Sequence, residues 1–163
     1  MGGPEAGVRL SPPPAWSDGP RPHALADQIA LGLRLALAAF YVAAGLLHLT
    51  GPDGFLKIMP PMIPAPGAVV AFTGVCEIAG AIGLLVPKTR LSAGRMLALY
   101  ALCVWPANLY HAVAGVHVPP LPDSWWYHGP RLAFQPVLIW AALFAGGAVR
   151  WPLAPRGRAP GPP

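Results

Sequence analysis

Four long apolar stretches alternate with polar or proline-rich segments along this 163-residue chain, and they cover residues 28–49, 68–86, 91–113 and 132–149. Each stretch holds about 18 to 23 residues, which at ~1.5 Å per helical residue matches the ~30 Å hydrocarbon core of a bilayer. Backbone polar groups cannot stay unpaired in lipid, so such stretches must span as helices. The pattern predicts an all-α membrane protein, a four-transmembrane-helix bundle over residues 27–150.

The segments between and around these stretches are of three kinds. Residues 51–67 contain five prolines and predict a loop, with a short segment lying across the mouth of the bundle. Residues 114–131 predict a second loop on the same side, whose aromatic residues Trp125–Tyr127 favour the headgroup level. The Gly/Pro-rich tails, residues 1–26 and 151–163, have too little apolar surface to fold, and we expect them to be disordered.

Composition agrees with a membrane location. About 55% of the residues are hydrophobic and only 10% are charged, whereas about a quarter are charged in an average soluble domain. The net charge of +5 comes from basic residues placed singly near helix ends, so the predicted partner is the lipid bilayer and not nucleic acid. Cys76 and Cys103 stand alone in apolar stretches, and no metal-type spacing is present, so no metal site is predicted.

The distribution of Lys and Arg predicts the orientation. In a four-span arrangement, Lys57 and Arg131 fall on one side. The basic residues of the other side are Arg9, Arg21, Lys88, Arg90, Arg95, Arg150, Arg156 and Arg158. The positive-inside rule then predicts a multi-pass protein of the cell (plasma) membrane, with both termini cytoplasmic and the two long loops outside.

Glu77 is the most informative polar residue, because it lies in the middle of the second stretch. A charged residue at this depth costs about 2.5–3.5 kcal/mol on insertion scales. Its helical neighbours Thr73, Gly74 and Gly80 are small, which favours close packing of another helix on that face. We therefore expect Glu77 to face the bundle interior with its carboxyl protonated or paired.

Five further polar residues belong to the outer half of the predicted bundle: His48, Asn108, His111, Arg131 and Gln135. Together with Glu77 at the floor, they predict a polar pocket open to the outside, able to bind a quinone or another amphipathic ligand. The alternative is an interhelical hydrogen-bond network that only holds the helices in register. His48 and His111 lie near the interface, where such a structural role is equally expected, and Arg131 is alternatively a helix-end residue whose charge reaches the headgroups.

Four other residues support the predicted pocket. Tyr41 and Gly45 share a helix face with His48, and Trp105–Pro106 lies just before Asn108. A proline within a membrane helix commonly kinks it, and a kink here would widen the bundle near Asn108.

The order and spacing of short motifs resemble the DoxX-like family of small bacterial membrane proteins, over roughly residues 37–142. The motifs are Gly45-x-x-His48, Pro52-x-x-Phe55-x-x-Ile58-x-Pro60, Pro64, Thr73-Gly74-x-x-Glu77-Ile78-x-Gly80, Gly83-Leu84-Leu85-x-Pro87-x-x-Arg90 and Pro106-Ala107-Asn108. This resemblance implies a four-helix membrane protein of poorly defined biochemistry. Its matched positions include His48, Glu77, Asn108 and the proline-rich loop, which the polar pattern also singles out. Some relatives are subunits of a thiosulfate:quinone oxidoreductase, and others associate with membrane redox complexes.

The resulting functional prediction is an accessory subunit of a quinone-linked membrane redox system, with redox-complex subunits as partners. The chain has no cofactor-binding fingerprint and no catalytic constellation of its own, so a non-catalytic role is favoured and quinone is the candidate ligand. Two alternatives stay open: a binding or transport protein for a small amphipathic molecule, and a membrane assembly or scaffold factor. A homo-oligomer is compatible with each of them.

Overall fold

The computed structural model describes residues 22–152, and all regular structure within this range is helical. The helices are α1 (Pro22–Thr50), α2 (Asp53–Lys57), α3 (Pro66–Leu85), α4 (Arg90–Val113) and α5 (Trp125–Gly146). Three of them, α1 from Leu25 onward, α3 and α4, are long and apolar enough to cross a membrane. The prediction of an all-helical protein with membrane-compatible helices is therefore confirmed.

Local sequence explains where these helices begin and end. Helix α3 starts with Pro66 in its first turn, where the missing N–H costs nothing, and it ends at Leu85 because Val86 is extended before Pro87. Helix α5 ends because Gly147 takes a left-handed conformation with φ of 80°. The backbone N–H of Ala148 then donates to the Leu143 carbonyl at 2.8 Å, which satisfies an otherwise free carbonyl of the last turn.

Three predicted boundaries, in two helices, are corrected by the structure. Helix α1 begins at Pro22 and not at residue 28, because the good helix formers that follow this proline extend it into the predicted tail. Helix α5 begins at Trp125 and not at residue 132, and it ends at Gly146 and not at residue 149. Residues 125–131 belong to the predicted second loop, but contacts of α5 with α4 hold this segment as a helix. The rest of both predicted tails lies outside the described residues.

The four long helices form an antiparallel ring in chain order. Helix α1 packs against α3, α3 against α4 and α4 against α5, and α5 closes the ring against α1. Segments 51–65 and 114–124 therefore lie at one end of the bundle, which we call the long-loop end. The turn 86–89 lies at the opposite end, which we call the short-turn end. There the Arg34 Nε donates to the Ala145 carbonyl at 2.8 Å and ties α1 to the last turn of α5.

Glycines allow two of these helix pairs to approach closely. A Cβ atom added to Gly74 of α3 would lie 2.8 Å from the His48 Cβ and 2.9 Å from the Gly45 carbonyl oxygen of α1. A Cβ atom added to Gly94 of α4 would lie 2.7 Å from the Gly146 Cα of α5. Small residues at helix crossings are typical of membrane bundles, where close packing replaces the hydrophobic driving force.

The interior and the surface differ as expected for a membrane bundle. The core contains Leu37, Tyr41, Leu84 and Leu97 surrounded by alanines. Many large apolar side chains face outward instead, and Phe72 on α3 is 68% exposed. An exposed apolar band of this kind would be a liability in water, but it suits contact with lipid tails.

Candidate functional site

The predicted polar residues are divided between two hydrogen-bonded groups. The Glu77 cluster consists of His48, Glu77 and Tyr100 and joins α1, α3 and α4. The Arg131 cluster joins α4 and α5 and consists of Asn108, His111, His128, Arg131 and Gln135. No hydrogen bond connects the two clusters within residues 22–152. They come near each other on α4, where Tyr100 of the Glu77 cluster is adjacent to Ala101, whose carbonyl accepts from Gln135 of the Arg131 cluster.

Glu77 is held between two other helices about midway along α3. Glu77 is only 4% exposed. The Tyr100 hydroxyl of α4 donates to Glu77 Oε1 at 2.8 Å. The other carboxylate oxygen, Oε2, lies 3.0 Å from His48 Nδ1 of α1. Glu77 thus faces the bundle interior, and its two carboxyl oxygens contact side chains of two other helices.

The His48 ring has two oxygen neighbours at one nitrogen. Nδ1 lies 2.9 Å from the Ala44 carbonyl and 3.0 Å from Glu77 Oε2. A hydrogen on Nδ1 would be directed at the Ala44 carbonyl. Glu77 Oε2 is therefore buried without a well-directed hydrogen-bond donor. A proton exchanged between His48 Nδ1 and Glu77 Oε2, which lie 3.0 Å apart, gives an ion pair when it is on the ring and two neutral groups when it is on the carboxyl.

Helix α2 covers this cluster at the long-loop end. The Phe55 ring stacks on the His48 ring, with centroids 3.7 Å apart and an angle of 22° between planes. Gly54 of the same helix faces Val118 of the second long segment, since an added Cβ would lie 3.3 Å from a Val118 methyl. The two segments of the long-loop end thus meet over the His48 end of the bundle.

The Arg131 cluster is a directional chain of hydrogen bonds. The Arg131 guanidinium donates to the Asn108 Oδ1 and, at 2.8 Å, to the His111 Nδ1. The Asn108 amide donates to Gln135 Oε1 at 3.4 Å, and Gln135 Nε2 donates to the Ala101 carbonyl at 2.6 Å. All acceptors in this chain are neutral. Because His111 accepts at Nδ1, its ring is neutral with the proton on Nε2.

A second histidine, His128, completes the cluster. The His111 and His128 rings meet edge to face with centroids 4.8 Å apart, and both residues are at least 96% buried. The His111 Nε2 and the His128 Nδ1 have no hydrogen-bond partner among the described residues. Within the same range, no group of three or more His, Cys, Asp or Glu residues could hold a metal ion.

The predicted supporting residues take different places. Tyr41 is 2% exposed and lies edge to face with Tyr100, while Gly45 and Gly74 form the α1–α3 crossing under His48. Two others serve helix packing: the Thr73 hydroxyl donates to the Val70 carbonyl of its own helix, and Gly80 receives the Leu97 side chain. Trp105 and Pro106 belong to neither cluster, and α4 continues as a helix through Pro106.

Three residues of the site were not predicted from the sequence: Tyr100 and His128 of the clusters, and Phe55 of helix α2, which covers the Glu77 cluster. Tyr100 lies eleven residues before His111, close to three helical turns, so the two share a face of α4. His128 precedes Arg131 and Gln135 at the helical spacing i, i+3 and i+7, a signal that required α5 to begin earlier. The stacking of Phe55 had no signal, because it depends on how the first long segment folds back over α1.

Comparisons with known proteins identify a family for this chain. Searches of curated proteins and of solved structures gave no match. One family matches residues 37–145, about two-thirds of the chain, and its description is Domain of unknown function (DUF8561). The matched range contains every residue of the Glu77 and Arg131 clusters. The chain therefore belongs to the DUF8561 family.

Proposed function

We propose that this protein is an accessory subunit of a quinone-linked membrane redox system, which binds the quinone head group at the Glu77 cluster. The observation that supports this most is the buried Glu77 carboxyl, held 2.8 Å from the Tyr100 hydroxyl and 3.0 Å from His48 Nδ1. Quinone reduction takes up two electrons and two protons, so a head group needs neighbours that exchange protons. A partner subunit supplies the electrons in this proposal, and the Glu77 cluster supplies proton exchange.

Helix packing alone gives a weak reason to bury this carboxyl. Interhelical hydrogen bonds in membranes contribute about 0.6 kcal/mol on average. Placing a carboxylate at the middle of a membrane helix costs about 2.5–3.5 kcal/mol. Neighbouring turns of α1, α3 and α4 are already packed through glycine, alanine and leucine, so a neutral residue would hold the helices together equally well.

The residues present fit a quinone head group in two respects. Glu77 Oε2 lacks a well-directed donor and can accept a hydrogen bond from a hydroxyl of the reduced quinone. The His48 ring offers a flat aromatic face, which Phe55 covers. Entry of a ligand therefore requires α2 to move away from His48.

The resemblance to the DoxX-like family gives the proposal independent support. The positions that carry it, Gly45, His48, Gly74 and Glu77, are the same ones that form the α1–α3 crossing. The redox association of relatives in that family is consistent with a quinone ligand, and we extend it to this chain as part of the proposal.

The proposed arrangement in the membrane has four spans, with both termini on the cytoplasmic side of the plasma membrane. Helix α5 has 22 residues, about as many as α3 and α4, and it closes the ring against α1. The polar residues of α5 include His128, Arg131 and Gln135, and the side chains of His128 and Gln135 are buried in the bundle. Basic residues at the short-turn end support a cytoplasmic location for that end.

The test is thermal unfolding of the purified full chain in detergent, with and without a short-chain quinone. We expect quinone to raise the midpoint of the wild-type protein, since a ligand that binds only the folded state stabilises it. Glu77→Gln should abolish the shift. Asp53→Asn is the matched control, because it makes the same chemical change at an exposed carboxylate of α2 and should keep the shift.

Other outcomes point to the alternative functions. A shift that a non-quinone amphiphile reproduces equally well indicates a binding or transport protein for small amphipathic molecules. If neither compound shifts the midpoint and Glu77→Gln is as stable as wild type, the quinone proposal fails and a scaffold role gains support.

A further inference from the structure

The Arg131 guanidinium is a positive charge without an acidic partner. Its two hydrogen-bond acceptors, Asn108 and His111, are neutral. Within residues 22–152 the close pairs between basic and acidic side chains are His48–Glu77 and His117–Asp123, and Arg131 is in neither. Two contacts use two of the five N–H groups of a guanidinium, so donors remain available for an anion.

A groove on the surface of α5 lies beside this charge. It is shallow, has a volume of about 390 Å³ and is lined by Trp126, Tyr127, Pro130, Arg131 and Phe134. These residues follow one face of the helix. Trp126 and Phe134 are 91% and 53% exposed, and the Arg131 guanidinium carbon lies 5.7 Å from the centre of the Tyr127 ring. The groove therefore combines apolar rings with one unneutralised charge.

The position of the groove selects the kind of ligand. It lies in the first turns of α5 at the long-loop end, with Arg131 about 9 Å along the helix from its first residue. Aromatic residues and arginine are typical of the level where lipid headgroups meet the hydrocarbon. A phosphate there can accept paired hydrogen bonds from a guanidinium. Acyl chains would lie along the exposed ring of Phe134, which follows Arg131 along the helix, while the exposed ring of Trp126 would lie at headgroup level.

We propose that this groove binds an anionic phospholipid, with Arg131 contacting the headgroup phosphate. The lipid would neutralise the Arg131 charge and hold the first turns of α5 against the membrane. This site is separate from the Glu77 cluster, and it rests only on the proposed membrane insertion of α5. Failure of quinone binding would leave it untouched.

The experiment measures lipid binding to the full chain in detergent by native mass spectrometry, with phosphatidylglycerol and phosphatidylcholine compared at equal concentration. We expect phosphatidylglycerol to bind at least about fivefold more tightly. Arg131→Gln should remove this preference. Arg95→Gln is the control: it changes an exposed arginine near the start of α4, at the short-turn end, and should leave the preference for phosphatidylglycerol unchanged.

A second pair of variants covers the case in which Arg131→Gln does not fold. Trp126→Ala and Phe134→Ala alter exposed rings of the groove and should weaken phosphatidylglycerol binding, whereas Phe72→Ala removes an exposed ring of α3 and should not. Equal binding of the two lipids overturns the proposal. So does a result in which inorganic phosphate competes for the site while the ring variants have no effect, because the site would then hold free phosphate and not a lipid.

Discussion

At the scale of single residues, Glu77 is the group whose surroundings most need explanation. Its two oxygens depend on side chains from two other helices, Tyr100 on α4 and His48 on α1. When a buried acceptor loses its donor, its desolvation is no longer compensated, and the folded state is destabilised by about 1–3 kcal/mol in soluble proteins. The corresponding coupling energies in membrane bundles are smaller, averaging about 0.6 kcal/mol and reaching about 1.7 kcal/mol.

Tyr100→Phe therefore should lower the free energy of unfolding by about 0.6 to 1.7 kcal/mol, because Glu77 Oε1 loses its donor. A double-mutant cycle with Glu77→Gln, measured by denaturant unfolding in mixed micelles, gives the coupling energy directly. Tyr110→Phe serves as the control, since the Tyr110 hydroxyl has no hydrogen-bond partner among the described residues. A coupling near zero would mean that the Tyr100–Glu77 hydrogen bond contributes nothing to stability.

At the scale of elements, the α1–α3 crossing fixes the distance between His48 and Glu77. The Gly74 position has no room for a methyl group, because the His48 Cβ and the Gly45 carbonyl oxygen would both lie within 3 Å of it. One of these neighbours is backbone, so the helices themselves would have to separate. Any separation also moves His48 away from the carboxylate.

We expect Gly74→Ala to destabilise the protein by about 1–3 kcal/mol, as overpacking commonly does. The same variant should lose any quinone-dependent shift of the unfolding midpoint. Gly67→Ala is a matched control in the same helix, because a Cβ there meets nothing within 4 Å. The free energy of unfolding of both variants, measured side by side, decides the question: equal stability would show that the crossing can relax without cost.

At the scale of the whole molecule, the proposed four-span arrangement depends on α5. Helices α1, α3 and α4 are apolar enough by composition to cross a membrane. In α5, the polar side chains of His128 and Gln135 are buried inside the ring. The mean hydropathy of a helix does not distinguish polar side chains that are buried in the bundle from polar side chains that face lipid. Burial of His128 and Gln135 in the ring supports the proposed fourth span through α5.

Cysteine labelling in intact cells tests this arrangement. Cys76 and Cys103 are first replaced by serine, and Ser124→Cys and Arg150→Cys are then introduced separately on either side of α5. We expect a membrane-impermeant maleimide to label Ser124→Cys in intact cells, and Arg150→Cys only after permeabilisation. Labelling of both from the same side would contradict a spanning α5, and a reversed pattern would contradict the proposed orientation.

The sequence by itself determined the helical character of the protein, the approximate extent of its apolar helices and the inward orientation of Glu77. These are local properties: hydropathy and length follow from consecutive residues, and the small residues around Glu77 mark the face that another helix approaches. The start of α5 was not determined in this way, because Gly129 and Pro130 resemble loop residues until His128 and Arg131 find partners on α4.

Only the tertiary structure decided which polar residues meet. The sequence predicted one pocket that contained His48, Glu77 and Arg131, whereas the fold pairs the first two across α1 and α3 and holds Arg131 between α4 and α5. The physical reason is that partner choice depends on the rotation of each helix about its axis and on its height against its neighbours. Both are set by close contacts between distant residues, such as Gly45 with Gly74 and Gly94 with Gly146.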